Sequence, residues 1–205
     1  MSRIAVLDYG IGNLRSAEKA LQHVGARARL VRDPAEAEAA DAVVLPGVGA
    51  FGACATALRD SGLDRVARAA VDAGIPFFGV CVGFQLLYRD SVESPGIAGL
   101  GVFEGCVERL PPGEKHPQMQ WNRLARTERP LTGPDPLSGL EAGPWMYFVH
   151  SFAPPVGPET VAVCDYGGPV AALVARGAVW GAQFHPEKSG RNGLALLANF
   201  AALAA

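Results

Sequence analysis

Residues 4–7 form an unbroken apolar run closed by Asp8 and the turn Gly10-Ile11-Gly12, as expected of a strand buried on both faces. Asn13 then stands where a helix cap belongs. Beyond it Leu14, Ala17, Leu21 and Val24 recur on one helical face, with Arg15, Glu18, Lys19 and Gln22 on the other, until Gly25 closes the segment. Residues 27–31 read as a second strand. An acidic, Ala-rich turn of helix follows the Asp33-Pro34 break, and residues 41–46 give a third strand. Leu63, Val66, Ala67 and Ala70 mark another amphipathic helix, closed by Gly74 before a short apolar run, Ile75-Pro76-Phe77-Phe78, that leads into Gly79-Val80-Cys81-Val82-Gly83. Phe84, Leu87 and Tyr88 repeat at helical spacing after it. Strands alternating with helices predict an α/β fold, an open, mostly parallel sheet with helices on both faces.

The second half differs. Residues 102–125 hold short apolar runs broken by Gly and Pro, and residues 128–144 are rich in turn formers. Residues 145–151, 160–165, 170–175 and 179–184 read as strands in quick succession, expected to pair antiparallel. Leu196, Phe200 and Leu203 make an apolar stripe in a closing helix over 193–205. No repeat or linker interrupts the chain, so one domain spanning 1–205 is expected.

At 205 residues, 49% hydrophobic and 19% charged, the chain is long enough to enclose a large core. A net charge of -2 gives no case for nucleic acid or an anionic membrane. Four cysteines without a C-x-x-C pair indicate neither a structural metal nor a disulfide scaffold, which fits a reduced, cytoplasmic chain. Met1-Ser2-Arg3 leads straight into a run too short for a signal peptide or a membrane span.

The chemistry gathers at Cys81. Strand, sharp turn and helix succeed one another there, and Gly79 and Gly83 stand at i−2 and i+2, where strand and helix come too close for a side chain. A helix N-terminus favours thiolate. Cys54, Cys106 and Cys164 have no such surroundings and read as small core residues. A cysteine nucleophile needs a base and a group that orients the base. Among the four histidines, His23 ends a helix, His116 lies in a Pro- and Gly-rich loop, and His150 follows a packed strand. His185, in Gln183-Phe184-His185-Pro186-Glu187, is the strongest candidate, because an i, i+2 spacing in extended chain turns imidazole and carboxylate the same way. The zinc-deaminase reading of His-x-Glu fails for want of a later Pro-Cys-x-x-Cys. Candidate oxyanion donors are the amides of Val82, just after the nucleophile, and of Val48 in Pro46-Gly47-Val48-Gly49-Ala50-Phe51-Gly52. That loop also spells G-x-G-x-x-G, but in the third strand unit and without an acidic partner for a ribose.

Together the Gly-x-Cys-x-Gly-x-Gln elbow, the Pro-Gly-Val-Gly loop and the Gln-Phe-His-Pro-Glu segment resemble class I (triad) glutamine amidotransferases. More narrowly, Asp8-Tyr9-Gly10-Ile11-Gly12-Asn13-Leu14, the segment 46–52, Tyr147-Phe148-Val149-His150-Ser151 and His185-Pro186-Glu187-Lys188-Ser189-Gly190 are similar to the glutaminase subunits of imidazole glycerol phosphate synthases. The resemblance implies hydrolysis of L-glutamine through a thioester at Cys81, with His185 as base then acid and Glu187 as its orienter. It implies Gln85, Glu93 and Gly49 at the substrate, and Asn13, Trp121, Asn122 and Lys188 facing a partner. That partner is a (β/α)8 cyclase subunit that receives the ammonia in histidine biosynthesis, forming a heterodimer with this chain. No cofactor or metal is implied. One departure stands out: the family's Pro-His-Met-Gly-Trp-Asn is here Pro117-Gln118-Met119-Gln120-Trp121-Asn122, with Gln120 in place of a glycine in what reads as an interface loop.

Three other readings compete. The segments around Tyr9 and Lys188 argue against an amidotransferase serving another synthetase. A related cysteine hydrolase that transfers no ammonia and a silent binding module are separated from the first reading by ammonia release from glutamine.

Overall fold

A computed structural model describes residues 3–204. Met1 and Ser2, which lead into the first strand, and Ala205, at the end of the closing stripe, lie outside the described residues. In chain order the elements are β1 (Arg3–Leu7), α1 (Leu14–His23), β2 (Arg27–Val31), α2 (Pro34–Glu38), β3 (Ala42–Gly47), α3 (Phe51–Asp60), α4 (Leu63–Asp72), β4 (Phe77–Cys81) and α5 (Val82–Gln85). They continue with β5 (Tyr88–Ser91), β6 (Phe103–Arg109), β7 (Gln118–Arg123), β8 (Ala125–Arg126), β9 (Trp145–His150), β10 (Phe152–Ala153), β11 (Thr160–Asp165), β12 (Pro169–Arg176), β13 (Val179–Ala182) and α6 (Gly190–Leu203), the last preceded by a 3-10 turn at Pro186–Lys188.

The main sheet runs β2-β1-β3-β4-β13-β12-β11-β8. Its pairs are parallel from β2 to β13 and antiparallel beyond. The fold class is the α/β one expected, with antiparallel strands added from the second half. β3 and β4 are buried at every position, so both faces of the sheet centre are covered. α1 packs on α6, while α3 and α2 pack on α4. Phe78, Trp180 and Phe200 stack under the sheet centre with ring centroids 5.3–6.4 Å apart, a favourable edge-to-face range. Two small sheets stand beside the main one: β10-β6-β5 and the antiparallel pair β7-β9.

Several local expectations change. Glu18 is buried, because its carboxylate accepts the Leu30 amide at 3.1 Å and pairs with Arg15 at 3.2 Å. β2 is an edge strand, and Glu18 satisfies a backbone donor that the open edge would leave bare. α3 is a helix that the apolar pattern did not single out; it buries Phe51, Cys54, Ala55 and Leu58. The helix after Cys81 is one turn long, and Tyr88 starts β5 instead of extending it. The Gly- and Pro-broken stretch 102–125 holds strands β6 and β7. Gln120 lies in β7 opposite Phe148 with its side chain exposed, so the segment read as a loop is a strand, and the glycine is not needed for any close approach within this chain. None of the described helices is long and apolar enough to cross a membrane.

Candidate active site

β4 delivers Cys81 to the carboxyl edge of the sheet, and the backbone turns there at φ 56° and ψ −115°. Cys81 is the one non-glycine residue with positive φ among the described residues. The region is that of the first central residue of a type II′ turn, which favours glycine, and a cysteine held there stores about 1–3 kcal/mol of strain. A Cβ on Gly79 would meet Gly83 O at 2.8 Å, and one on Gly83 would meet Leu45 O at 1.8 Å. These two glycines let the turn close. α5 is only four residues long, so the helix dipole at this turn is small. Cys81→Gly is expected to unfold with about 1 kcal/mol more stability than Cys81→Ala, because glycine relieves the strain and returns part of the gain as backbone entropy. Urea denaturation of the two variants measures it.

His185 comes in from the end of β13, its backbone amide donating to Tyr147 O at 2.9 Å. Its Nδ1–H donates to Glu187 Oε1 at 2.8 Å, and both side chains are 2% exposed. The extended-strand geometry expected for this pair is replaced by the 3-10 turn at Pro186–Lys188, which folds the carboxylate under the ring. Asn13 Nδ2 donates to the same carboxylate oxygen at 3.0 Å. Asn13 therefore makes no side-chain cap for α1; the amide assigned to capping is committed to Glu187. The other ring nitrogen, His185 Nε2, is buried with no hydrogen-bond partner at standard length and has the Cys81 thiol as its titratable neighbour. Burial pulls the His185 pKa down, but the neighbouring Cys81 and Glu187 outweigh it and lift the pKa to about 10. Burial works upward on Glu187, and the bond from His185 overrides it, holding the carboxyl below its ordinary value. The arrangement favours a charged imidazolium between sulfur and carboxylate.

The loop after β3 starts beside Cys81, since Gly47 and Cys81 are register partners. Two buried groups tie it down. Tyr9 Oη donates to Pro46 O at 2.6 Å, and Cys54 Sγ donates to Val48 O at 3.2 Å. Burial pushes both groups' pKa values up, which keeps them neutral donors. Gly49 has φ 85° and a Cβ position that faces open space. The Val82 amide is the first of α5, one of the donors a helix start leaves without an intrahelical partner. Glu93 Oε2 accepts the Phe51 amide at 2.7 Å, capping α3. Gln85 is buried, with Nε2 donating to Phe152 O at 2.8 Å and to Gln183 Oε1 at 3.1 Å. Gln183 in turn places Nε2 at 3.9 Å from Cys81 Sγ, and Val149 O lies 3.9 Å from the same sulfur. Neither neighbour was identified from the sequence. The i, i+2 rule that joined Glu187 to His185 also joins Gln183 to it, and was the signal available.

The remaining histidines and thiols are placed elsewhere. His23 ends α1 on the surface. His116 is half-buried and accepts from Arg109 Nε at 3.2 Å. His150 is packed; burial drops its pKa to about 4, so it is a neutral ring donating Nδ1–H to Phe152 O. Cys54 and Cys164 are core residues, whereas Cys106 is half-buried beside Asp90, so its expected core placement fails in part. Among the described residues no group of three or more His, Cys, Asp or Glu is arranged to hold a metal.

Of the residues expected to face a partner, Trp121 is exposed on β7, Lys188 is exposed with Nζ 6.0 Å from the Tyr147 ring centroid, and Asn122 is half-buried and donates to Asp165 O at 2.8 Å. The β7–β9 register stacks Met119, Trp121 and Trp145 on one side, with exposures of 64, 48 and 50%. Met119 and Trp145 were not singled out in the sequence.

The sequence profile of the family described as "Glutamine amidotransferase class-I" matches residues 5–203. The chain is 45% identical over 198 residues to "Imidazole glycerol phosphate synthase subunit HisH" of Methanothermobacter thermautotrophicus, covering 96% of both chains. It is 47% identical over 205 residues to the protein of the same description from Thermosynechococcus vestitus, covering 98% of this chain and 96% of that one. Among solved structures, a crystal structure described as a glutamine amidotransferase superposes with a TM-score of 0.73 at 26% identity, over 93% of this chain and 94% of that one. PurLQS from Thermotoga maritima shares the fold, with a TM-score of 0.74 at 21% identity over 98% of each chain.

Proposed function

Since the chain belongs to the class I glutamine amidotransferase family, we propose that it is the glutaminase subunit of an imidazole glycerol phosphate synthase, releasing ammonia from L-glutamine for a cyclase partner in histidine biosynthesis. The relatives of 45–47% identity, matched over nearly their whole length, carry that one description, which favours it over an amidotransferase serving another synthetase. The observation that carries the chemistry is the buried 2.8 Å bond from His185 to Glu187, with Cys81 as the imidazole's other titratable neighbour.

The Cys81 thiolate attacks the side-chain amide carbon of glutamine, and the carbonyl electrons move onto oxygen. The amides of Val82 and Val48 are the donors for that oxyanion; one such donor typically contributes ~3 kcal/mol to the transition state. Collapse of the intermediate breaks the C–N bond as His185 Nε2–H gives its proton to nitrogen, and ammonia leaves a thioester behind. His185, now neutral, takes a proton from water, whose oxygen attacks the thioester. Breaking the C–S bond then restores thiolate, imidazolium and free glutamate. Glu187 and Asn13 keep the ring oriented throughout. Glutamine's α-ammonium needs acceptors, and Gln85 Oε1 and Glu93 Oε1 supply them beside Gly49.

The (β/α)8 cyclase docks on the apolar side of β7–β9. β9 carries that surface outward and its Val149 carbonyl inward against the sulfur, so ammonia formed at Cys81 crosses one strand to reach the partner. Trp121→Glu is expected to weaken association with the cyclase subunit about 30-fold or more, as loss of a buried interface tryptophan removes roughly 2 kcal/mol. Titration calorimetry reads the affinity. Ammonia release from glutamine, measured with and without the cyclase subunit, tests the whole assignment, and silence in both arms refutes it.

A further inference from the structure

The proposed mechanism gives no role to the buried side-chain amide of Gln183, which faces the reacting sulfur and is held in turn by Gln85. Gln183 is 0% exposed and Gln85 3%. Gln85 Nε2 donates to the Phe152 carbonyl at 2.8 Å. A carbonyl only accepts, so that bond fixes which end of Gln85 is nitrogen. The second hydrogen of the same NH2 group goes to Gln183 Oε1 at 3.1 Å, which turns the Gln183 oxygen toward Gln85 and its NH2 toward Cys81 Sγ, 3.9 Å away. A flipped Gln183 would set two NH2 groups against each other and aim an oxygen at the thiolate.

We propose that Gln183 is a further residue of the reaction, its side-chain amide donating to the Cys81 sulfur and holding it as thiolate, while Gln85 is a positioning residue that keeps this amide facing the sulfur. The inference rests on Cys81 being the glutaminase nucleophile, and it adds a donor to the triad. Hydrogen bonds to an ionised acceptor are roughly twice as strong as neutral ones, so the amide favours thiolate over thiol. Being neutral, it does so without exchanging a proton, in contrast to His185. It therefore continues to donate when His185 has given its proton to ammonia, and it meets the sulfur again as charge returns on breaking the thioester. Its anchor, Phe152 in β10, ties the sulfur to the small sheet as well as to the main one.

The titratable groups coupled to Cys81 are His185, backed by Glu187, together with Tyr9 and Cys54. Burial keeps the last two neutral, and their substitution state is the same in every variant below. Iodoacetamide alkylation of Cys81, followed on its own peptide by mass spectrometry across pH, reads the thiolate directly. In Gln183→Met the midpoint is expected to rise by about one pH unit, a tenfold loss of thiolate below it, with an unchanged limiting rate at high pH. Gln85→Met shifts it the same way by less. A purely structural role would lower the melting temperature or the rate at every pH and leave the midpoint fixed. If Gln183→Met does not fold, the natural sequence decides: the side-chain amide resonances of Gln183 move with the Cys81 titration and lose that response in Cys81→Ala. A fixed midpoint in folded Gln183→Met, or amide resonances indifferent to Cys81, overturns the proposal. Undiminished glutaminase activity in Cys81→Ala would instead overturn the nucleophile assignment, a distinguishable failure.

Discussion

Cys81→Ala is expected to bring ammonia release from glutamine down to the solution background, a loss on the order of 10⁴-fold or more, while the circular dichroism spectrum stays that of the natural chain. Alanine keeps the Cβ, so the turn at φ 56° and the contacts of Gly79 and Gly83 are undisturbed; only the sulfur goes. On the proposed mechanism, the Val82 and Val48 amides that remain can polarise a carbonyl but have nothing to attack it with. His185→Ala removes both the cation beside the sulfur and the proton for the leaving nitrogen, and an equally severe loss follows. Glu187→Gln is milder, because the amide oxygen can still accept from His185 Nδ1 and Asn13 Nδ2, and only the charge is lost. Coupled glutamate dehydrogenase and ammonia assays on the purified complex decide each case, and normal turnover in Cys81→Ala sinks the mechanism.

The order in which these groups became visible follows from the distance over which each is specified. The elbow was legible because its requirement is local: two glycines, a nucleophile between them, a strand before and a turn of helix after. Residues 4–7 and 41–46 were legible as strands because burial on both faces demands a dense apolar run. His185 and Glu187 could be paired by spacing, although the 3-10 turn that joins them differs from the extended chain assumed. The length of α5 was not legible. Phe84, Leu87 and Tyr88 satisfy helical spacing, yet Tyr88 is taken by β5, whose pairing with Phe103 and its neighbours is a contact between segments that no local pattern records. The same holds for Glu18, which was read as a solvated face and turns out to satisfy the open edge of β2. Gln183 lies between these cases: its side of the strand was readable, its hold on the sulfur was not, since that depends on Gln85 and on a carbonyl in β10.

Gly83→Ala is expected to cost ~3 kcal/mol or more in unfolding free energy, the upper range for overpacking a tight core, and to abolish alkylation of Cys81 at neutral pH. The added methyl would lie 1.8 Å from Leu45 O and 2.7 Å from Leu45 C. Both are backbone atoms of β3, which is paired with β1 on one side and β4 on the other, so the strand cannot yield without breaking the centre of the sheet. If α5 lifts instead, it takes with it the Val82 amide and the turn that presents the sulfur. Backbone strain does not contribute at this position, because Gly83 is not among the glycines with positive φ; the loss therefore measures the close approach alone. Gly157→Ala serves as the control, since a methyl there meets nothing nearer than 3.7 Å and φ is again not positive, which predicts a change within about 0.5 kcal/mol. Urea unfolding of the two variants gives the contrast, and a Gly83→Ala chain as stable as the control would mean that strand and helix are not packed as tightly as the nucleophile's geometry requires.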